Sequence, residues 1–156
     1  MPREPIPTFY FALAVVRLGH RFLLVHERKH GQQWYLPAGR VEHGETLVEA
    51  ARRETLEETG VPIVIEGVLR VEHTLRESSA RVRVIFLARP ADDTPPKSVA
   101  DKESLEARWV SLEDLKHLEL RGPEVREIFE HVAAGGAVHP LHVLAAEGDP
   151  MPRHRR

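Results

Sequence analysis

The segment GRVEHGETLVEAARRETLEETGV, Gly39–Val61, decides how the rest of the chain is interpreted. It places three glutamates, Glu54, Glu57 and Glu58, within five residues of one another. On a helix, which turns by roughly 100° per residue, their side chains fall within about 100° of one another and line one edge. These carboxylates either face solvent or bind a positively charged partner.

Both ends of such a helix are marked in the sequence. Thr46 and Glu49 have the spacing of a capping box, in which each side chain accepts a hydrogen bond from the other residue's backbone N–H. Gly60 supplies a residue that readily adopts the left-handed conformation found just after a helix. The pattern predicts a helix over about 47–59, with a stripe facing the core that consists of Val48, Ala51 and Thr55.

Two interpretations of the acidic edge are open from these residues alone. Like charges one turn apart cost only about 0.2–0.5 kcal/mol on a surface helix, so a solvated acidic face is energetically acceptable. A hard cation such as Mg²⁺ would instead turn the repulsion into attraction, because it binds a few carboxylate oxygens and substrate phosphates.

Composition limits the class of protein. The chain has 156 residues, 42% of them hydrophobic and 29% charged, which suits one domain with a substantial core. A formal net charge of −2 predicts no binding to duplex nucleic acid. The chain has no cysteine, and its apolar N-terminal run is too short to span a bilayer, so we expect a soluble cytoplasmic protein without membrane association.

Apolar strand patterns lie on both sides of the predicted helix. Two strands joined by a tight turn are expected from Phe9 to about residue 28, and residues 33–39 are expected to be a strand end that runs into a loop at Pro37 and Gly39. Two further strands are expected over 61–75 and 80–90, followed by a loop to Ser104, a short strand and a helix opened by Pro123. This order predicts a single α+β domain over residues 1–146 and a flexible tail over 147–156.

The quoted segment resembles the Nudix box, G-x5-E-x7-R-E-U-x-E-E-x-G-U, in which U is a bulky aliphatic residue. The fixed positions are filled by Gly39, Glu45, Arg53, Glu54, Glu57, Glu58 and Gly60. With each residue at a frequency of roughly 7%, a match of this kind in such a chain is about a one-in-a-million accident. The departure is Thr55 at the first U position, and Thr is close to Val in shape.

The resemblance implies a MutT-like hydrolase with an α/β/α sandwich around a mixed sheet, in which the box forms loop–helix–loop. Such enzymes use Mg²⁺ or Mn²⁺ to hydrolyse a nucleoside diphosphate linked to another group. Carried onto this chain, the resemblance assigns metal binding to Glu54, Glu57, Glu58 and the backbone carbonyl of Ala38. It assigns bracing of the box to Gly39, Glu45 and Arg53, although Arg53 could instead contact phosphate.

A general base must take the proton of the attacking water. Glu57 is one candidate for this catalytic role. Glu103 is the other, since its place six residues before Trp109 resembles that of a late metal-ligand glutamate in the nucleotide-cleansing branch of the family. Asp101 and Glu106 are neighbouring loop acids without an assigned role. Candidate substrate contacts are Trp34, Tyr35, Arg81, Arg83 and Phe86, each with a competing interpretation as a core or exposed strand residue.

Short matches outside the box resemble family branches that act on 8-oxo-guanine nucleoside diphosphates and on nucleoside di- and triphosphates. The resemblance therefore implies a small nucleotide substrate. Hydrolysis of ADP-ribose or nucleotide sugars and a non-catalytic nucleotide sensor are the alternatives. The sequence leaves a homodimer open.

Overall fold

The computed structural model describes residues 3–154, in which four strands precede the first α-helix and three more precede the second. The strands are β1 (Thr8–Leu18), β2 (Arg21–His26), β3 (Trp34–Tyr35), β4 (Ala38–Arg40), β5 (Ile63–Leu75), β6 (Ala80–Pro90) and β7 (Glu106–Val110). The helices are α1 (Leu47–Thr59) and α2 (Glu124–Ala133). Within the described residues, no helix has the length and apolar character needed to cross a membrane.

The strands form a mixed sheet in the order β3-β2-β1-β6-β5. The central pair, β1 and β6, runs parallel, whereas β5 is antiparallel to β6 and β2 is antiparallel to β1. Strand β4 adds to β1 in antiparallel register, with Ala12 opposite Gly39, and β7 adds to β2. The predicted mixed sheet is confirmed.

The core has two layers because successive side chains of a strand point to opposite faces. On one face, Ala12 and Phe86 pack with Ala51 of α1. On the other, Leu13 and Ile85 pack with buried residues of α2. The two helices therefore cover opposite faces of the sheet, which confirms the predicted α+β sandwich.

Helix α1 begins and ends where the sequence predicts. Thr46 accepts a hydrogen bond from the Glu49 N–H, and the Glu49 side chain accepts one from the Thr46 N–H, so both bonds of the capping box are present. Gly60 follows the helix with φ of 75°, in the left-handed region. Thr55 is fully buried, as expected for the core stripe.

The segment around Gly39 differs from the expectation of a loop. Residues 38–40 form a strand, because their backbone pairs with the long central strand β1. Long-range pairing thus overrides the local preference of Pro37 and Gly39 for irregular structure. This strand lies against α1 and fixes the box glycine beside the acidic edge.

The division into a domain over 1–146 and a flexible tail over 147–156 stays a prediction. Residues 1, 2, 155 and 156 fall outside the described residues.

Candidate active site

Gly39 of β4 touches the acidic edge of α1. A Cβ placed on Gly39 would lie 2.1 Å from Glu54 Cδ and 2.2 Å from Glu54 Oε1, far inside van der Waals contact. Only glycine therefore allows the Glu54 carboxylate to lie directly against this strand.

Arg53 fastens the box through its whole guanidinium group. Its Nε and Nη2 donate to the two oxygens of Glu45 at 2.9 and 2.6 Å, and Nη2 also donates to the Arg40 carbonyl at 3.1 Å. Its Nη1 donates to Glu54 Oε1 at 2.8 Å and to Glu57 Oε2 at 3.2 Å. A guanidinium has five N–H donors, and here all five have acceptors, so none is left for a phosphate. This geometry favours the bracing role over the phosphate-contact alternative.

The arginine changes the acidity of its partner. Hydrogen bonds from Arg53 lower the pKa of the Glu45 carboxyl to about 2, against the opposing effect of burial. The same hydrogen bond raises the already high pKa of Arg53. The pair is thus charged across the whole working range of pH.

Glu58 is the most buried of the three glutamates, with 9% of its surface exposed. Burial, followed by the hydrogen bond and charge of the adjacent Glu54, raises the pKa of Glu58 to about 10. Burial also raises the pKa of Glu54. In the absence of a cation, two carboxyl groups so placed share a proton, and a divalent cation can take the place of that proton.

The backbone of Ala38 joins this pair. The Ala38 N–H points away from β1 and donates weakly to Glu58 Oε1 at 3.4 Å. Because the N–H and C=O of one residue in a strand point to the same edge, the Ala38 carbonyl also faces the helix. A backbone oxygen therefore accompanies the two carboxylates.

The donor set fits a hard cation that keeps part of its water shell. Among residues 3–154, no three acidic or histidine side chains form a complete metal cage, and Glu57 is turned toward Arg53. Mg²⁺ does not need such a cage, because it binds one or two carboxylates together with waters and substrate phosphates. Suitable oxygens are supplied by Glu54, Glu58 and the Ala38 carbonyl, and the Glu57 side chain, 39% exposed, lies on the same edge.

The loop that carries Glu103 is fastened to the C-terminal end of α1. Lys97 Nζ donates to the Glu57 carbonyl at 2.7 Å, and Ser104 Oγ donates to the Glu58 carbonyl at 2.6 Å. Asp101 pairs with Lys97 and accepts the Glu103 N–H at 2.8 Å. Asp101, which has no role assigned from the sequence, thus shapes the loop. The signal in the sequence is that an aspartate often accepts hydrogen bonds from backbone N–H groups two or three residues later.

Glu103 itself is exposed, and its carboxylate has no hydrogen-bond or ion-pair partner within residues 3–154. Its role as base or metal ligand stays a prediction.

Two aromatic residues proposed to stack on a base are not available for it. Phe86 is fully buried on the α1 face of the sheet, which favours its competing interpretation as a core residue. Trp34 is 6% exposed, and its ring already stacks on His26 at 4.6 Å and lies 4.8 Å from the Arg108 guanidinium. Burial depends on which sheet face a strand residue occupies, and composition alone does not reveal that.

The remaining candidates surround a cavity of about 180 Å³ on the opposite sheet face from α1. Its lining comprises Phe11, Leu13, Glu27, His30, Tyr35, Ala38, Gly39, Arg81, Arg83 and Arg121. The cavity thus reaches Ala38 and Gly39, which also border the glutamate edge. Tyr35 is 2% exposed, and its hydroxyl donates to Glu124 Oε1 at 2.8 Å and accepts from Arg83 Nη1 at 3.2 Å.

Comparisons with known proteins agree with this geometry. The family model described as the NUDIX domain matches residues 9–132. The 8-oxo-dGDP phosphatase of Homo sapiens is 41% identical over 124 residues, which cover 76% of this chain but only 37% of that relative. The phosphatase NudJ of Shigella boydii is 33% identical over 132 residues, which cover 83% of this chain and 86% of that protein.

A solved structure shares the architecture over almost its entire length. The NUDIX hydrolase from Nitrosomonas europaea superposes with a TM-score of 0.75 at 27% identity, covering 91% of this chain and 99% of that one. The family match extends well beyond the box, over both layers of the sandwich. The chain therefore belongs to the Nudix family of hydrolases.

Proposed function

We propose that the protein uses Mg²⁺, which Mn²⁺ can replace, to hydrolyse a pyrophosphate bond in nucleoside di- or triphosphates, including nucleotides with oxidised guanine. The observation that carries this proposal is the Glu54–Glu58 carboxyl pair, with Glu58 buried and Glu54 half-buried, packed against Ala38 and Gly39 of β4. Such a pair is costly without a cation and becomes favourable with one.

The residues that would hold the cation are Glu54, Glu57, Glu58 and the carbonyl of Ala38. A divalent cation bound there would neutralise charge on the phosphate oxygens and lower the pKa of an attacking water. The chain's own part is to keep the carboxylates in place. Arg53 does so by contacting Glu45, Glu54 and Glu57 together.

Two residues compete for the role of general base. Glu57 lies on the acidic edge, and 39% of its side chain is exposed to water. Glu103 lies on a loop whose backbone is fastened to the end of α1, and its carboxylate is free to turn. The bound substrate decides between them, because the base must lie within hydrogen-bond distance of the attacking water.

The substrate class rests on similarity. One similar protein is named an 8-oxo-dGDP phosphatase and another is named a phosphatase. The chain spans only 37% of the length of the first, and on this partial similarity we propose oxidised guanine nucleotides as substrates.

The experiment is a turnover screen with Mg²⁺ over nucleoside di- and triphosphates, their 8-oxo-guanine counterparts, ADP-ribose and a nucleotide sugar. Orthophosphate and pyrophosphate are read separately, and matched reactions contain EDTA. We expect orthophosphate or pyrophosphate to be released from a nucleoside di- or triphosphate in Mg²⁺, and we expect EDTA to abolish this release. Faster turnover of ADP-ribose or the sugar nucleotide would contradict the substrate assignment, and binding of nucleotide without any turnover would contradict the enzymatic one.

A further inference from the structure

Arg81 and Arg83 lie two residues apart on β6 and line the same cavity, but their surroundings differ. Arg83 Nε pairs with Glu72 Oε1 at 2.8 Å, and its Nη1 bonds the Tyr35 hydroxyl at 3.2 Å. Arg121, on the same cavity, pairs with both oxygens of Glu27 at 3.0 and 3.1 Å. These two cations are already neutralised.

Arg81 has no such partner. Within residues 3–154 it forms no ion pair, and its buried Nε is the one side-chain donor without an acceptor. Its guanidinium lies 4.4 Å from the centre of the Phe11 ring, which holds the group in place without neutralising it. A buried N–H without an acceptor costs free energy, and without an ion pair the charge of this cavity-lining guanidinium is left for an anionic ligand.

The electrostatics agree with this geometry. Burial, followed by the charges of Arg76, Arg83 and Arg121, lowers the pKa of Arg81. The acids near the cavity do not neutralise the charge of Arg81. Glu27 and Glu72 pair with other arginines, and Glu124 accepts a hydrogen bond from the Tyr35 hydroxyl. An excess of positive charge therefore remains at Arg81.

We propose that Arg81 binds a phosphoryl group of the substrate in this cavity, whereas Arg83 serves the fold. The inference rests on the proposed function and adds the residue that recognises the substrate's charge. The cavity reaches Ala38 and Gly39 at the glutamate edge. A second cavity of about 520 Å³, also lined by Arg81 and Arg83, leaves room for the rest of the molecule.

The test uses Arg81→Met, which keeps most of the apolar stem and removes the charge. Arg89→Met is the matched control, since Arg89 is exposed on the same strand. Binding of inorganic pyrophosphate, ADP and adenosine is measured by titration calorimetry in EDTA. We expect Arg81→Met to weaken pyrophosphate and ADP about tenfold or more, as for loss of a charged hydrogen bond, and to leave adenosine unchanged. We also expect the melting temperature of the ligand-free variant to hold or rise, because an uncompensated cation is removed.

Steady-state kinetics add a readout that a structural role would not move. Arg81→Met should raise KM about tenfold and change kcat less than threefold, since we assign Arg81 to binding that is equally strong in the ground state and the transition state. Pyrophosphate binding equal to wild type, or a lower melting temperature with unchanged affinity, overturns the inference. If no nucleotide is hydrolysed but pyrophosphate binding still depends on Arg81, the proposed function fails and the anion site stands.

Discussion

Replacing Gly39 with alanine tests whether contact with β4 positions the carboxylate of Glu54, which we propose as a metal ligand. The new Cβ would lie 2.2 Å from Glu54 Oε1, whereas ordinary contacts begin near 3.4 Å. The carboxylate must therefore retreat by about 1.2 Å, and a misplacement of about 1 Å at a reacting centre costs on the order of 10²-fold in rate. We expect kcat/KM in Mg²⁺ to fall by about that factor.

The fold should survive this change. The clash is with the far end of a flexible side chain, and Gly39 does not have the positive φ that alanine avoids. Alanine also restricts the unfolded chain, which contributes about 0.4–1 kcal/mol of stability where the backbone permits it. The melting temperature of Gly39→Ala in EDTA should therefore equal or exceed that of wild type.

The control is a cycle with Glu54→Asp, whose carboxylate is one methylene shorter. Glu54→Asp should lower activity in the wild-type background but cost little more in Gly39→Ala, because the shorter side chain no longer meets the new methyl group. The reasoning is refuted if Gly39→Ala keeps kcat/KM within threefold of wild type, or if it loses activity only because it unfolds.

Three further predictions concern the base, the core and pH. If Glu103 is the base, Glu103→Gln should lower kcat by about 10²–10⁴-fold with little change in KM. The control is Asp93→Asn, since Asp93 is an exposed acid of the same loop. A decrease in kcat of less than fivefold in Glu103→Gln would leave Glu57 as the base. Thr55→Val should change stability by less than about 1 kcal/mol and leave kcat/KM unchanged, because the hydroxyl donates only to the Ala51 carbonyl of its own helix; lost activity at unchanged stability would reveal a role for the hydroxyl. Glu45→Gln should destabilise the protein at pH 7: Arg53 lowers the pKa of Glu45 to about 2, so its stabilisation is complete above the ordinary glutamate range and is lost as pH falls toward 2. A wild-type advantage in melting temperature that does not shrink between pH 5 and pH 2 would contradict this.

The features predicted correctly from sequence are those that local residues determine. Thr46, Glu49 and Gly60 define both ends of α1 through contacts within a few residues, so the helix could be predicted to the residue. The placement of Glu54, Glu57 and Glu58 on one edge follows from helix geometry alone.

The features that escaped prediction depend on pairing between distant strands. The strand at residues 38–40 exists because β1 pairs with it, whereas Pro37 and Gly39 favour a loop locally. The sequence allows Phe86 either to stack on a base or to lie in the core, and the packing of α1 over its sheet face decides for the core. Arg81 and Arg83 are indistinguishable in sequence, and their separate environments arise from Glu72 and Tyr35, which lie on other strands.

The central claim is that the glutamate edge of α1 binds a divalent cation that hydrolysis requires. Its most direct test is Mg²⁺-dependent turnover of Glu58→Gln beside wild type, since glutamine keeps the shape and hydrogen-bonding capacity of this buried side chain and removes its charge. Mutation of a residue that only hydrogen-bonds to a metal ligand lowers metal affinity or activity about 10–100-fold. Loss of a direct ligand should therefore lower turnover more than 100-fold. The melting temperature in EDTA should hold or rise, because burial and Glu54 raise the pKa of Glu58 to about 10 and already oppose its charged form. Turnover by Glu58→Gln near the wild-type rate in Mg²⁺, with the fold intact, would contradict the account.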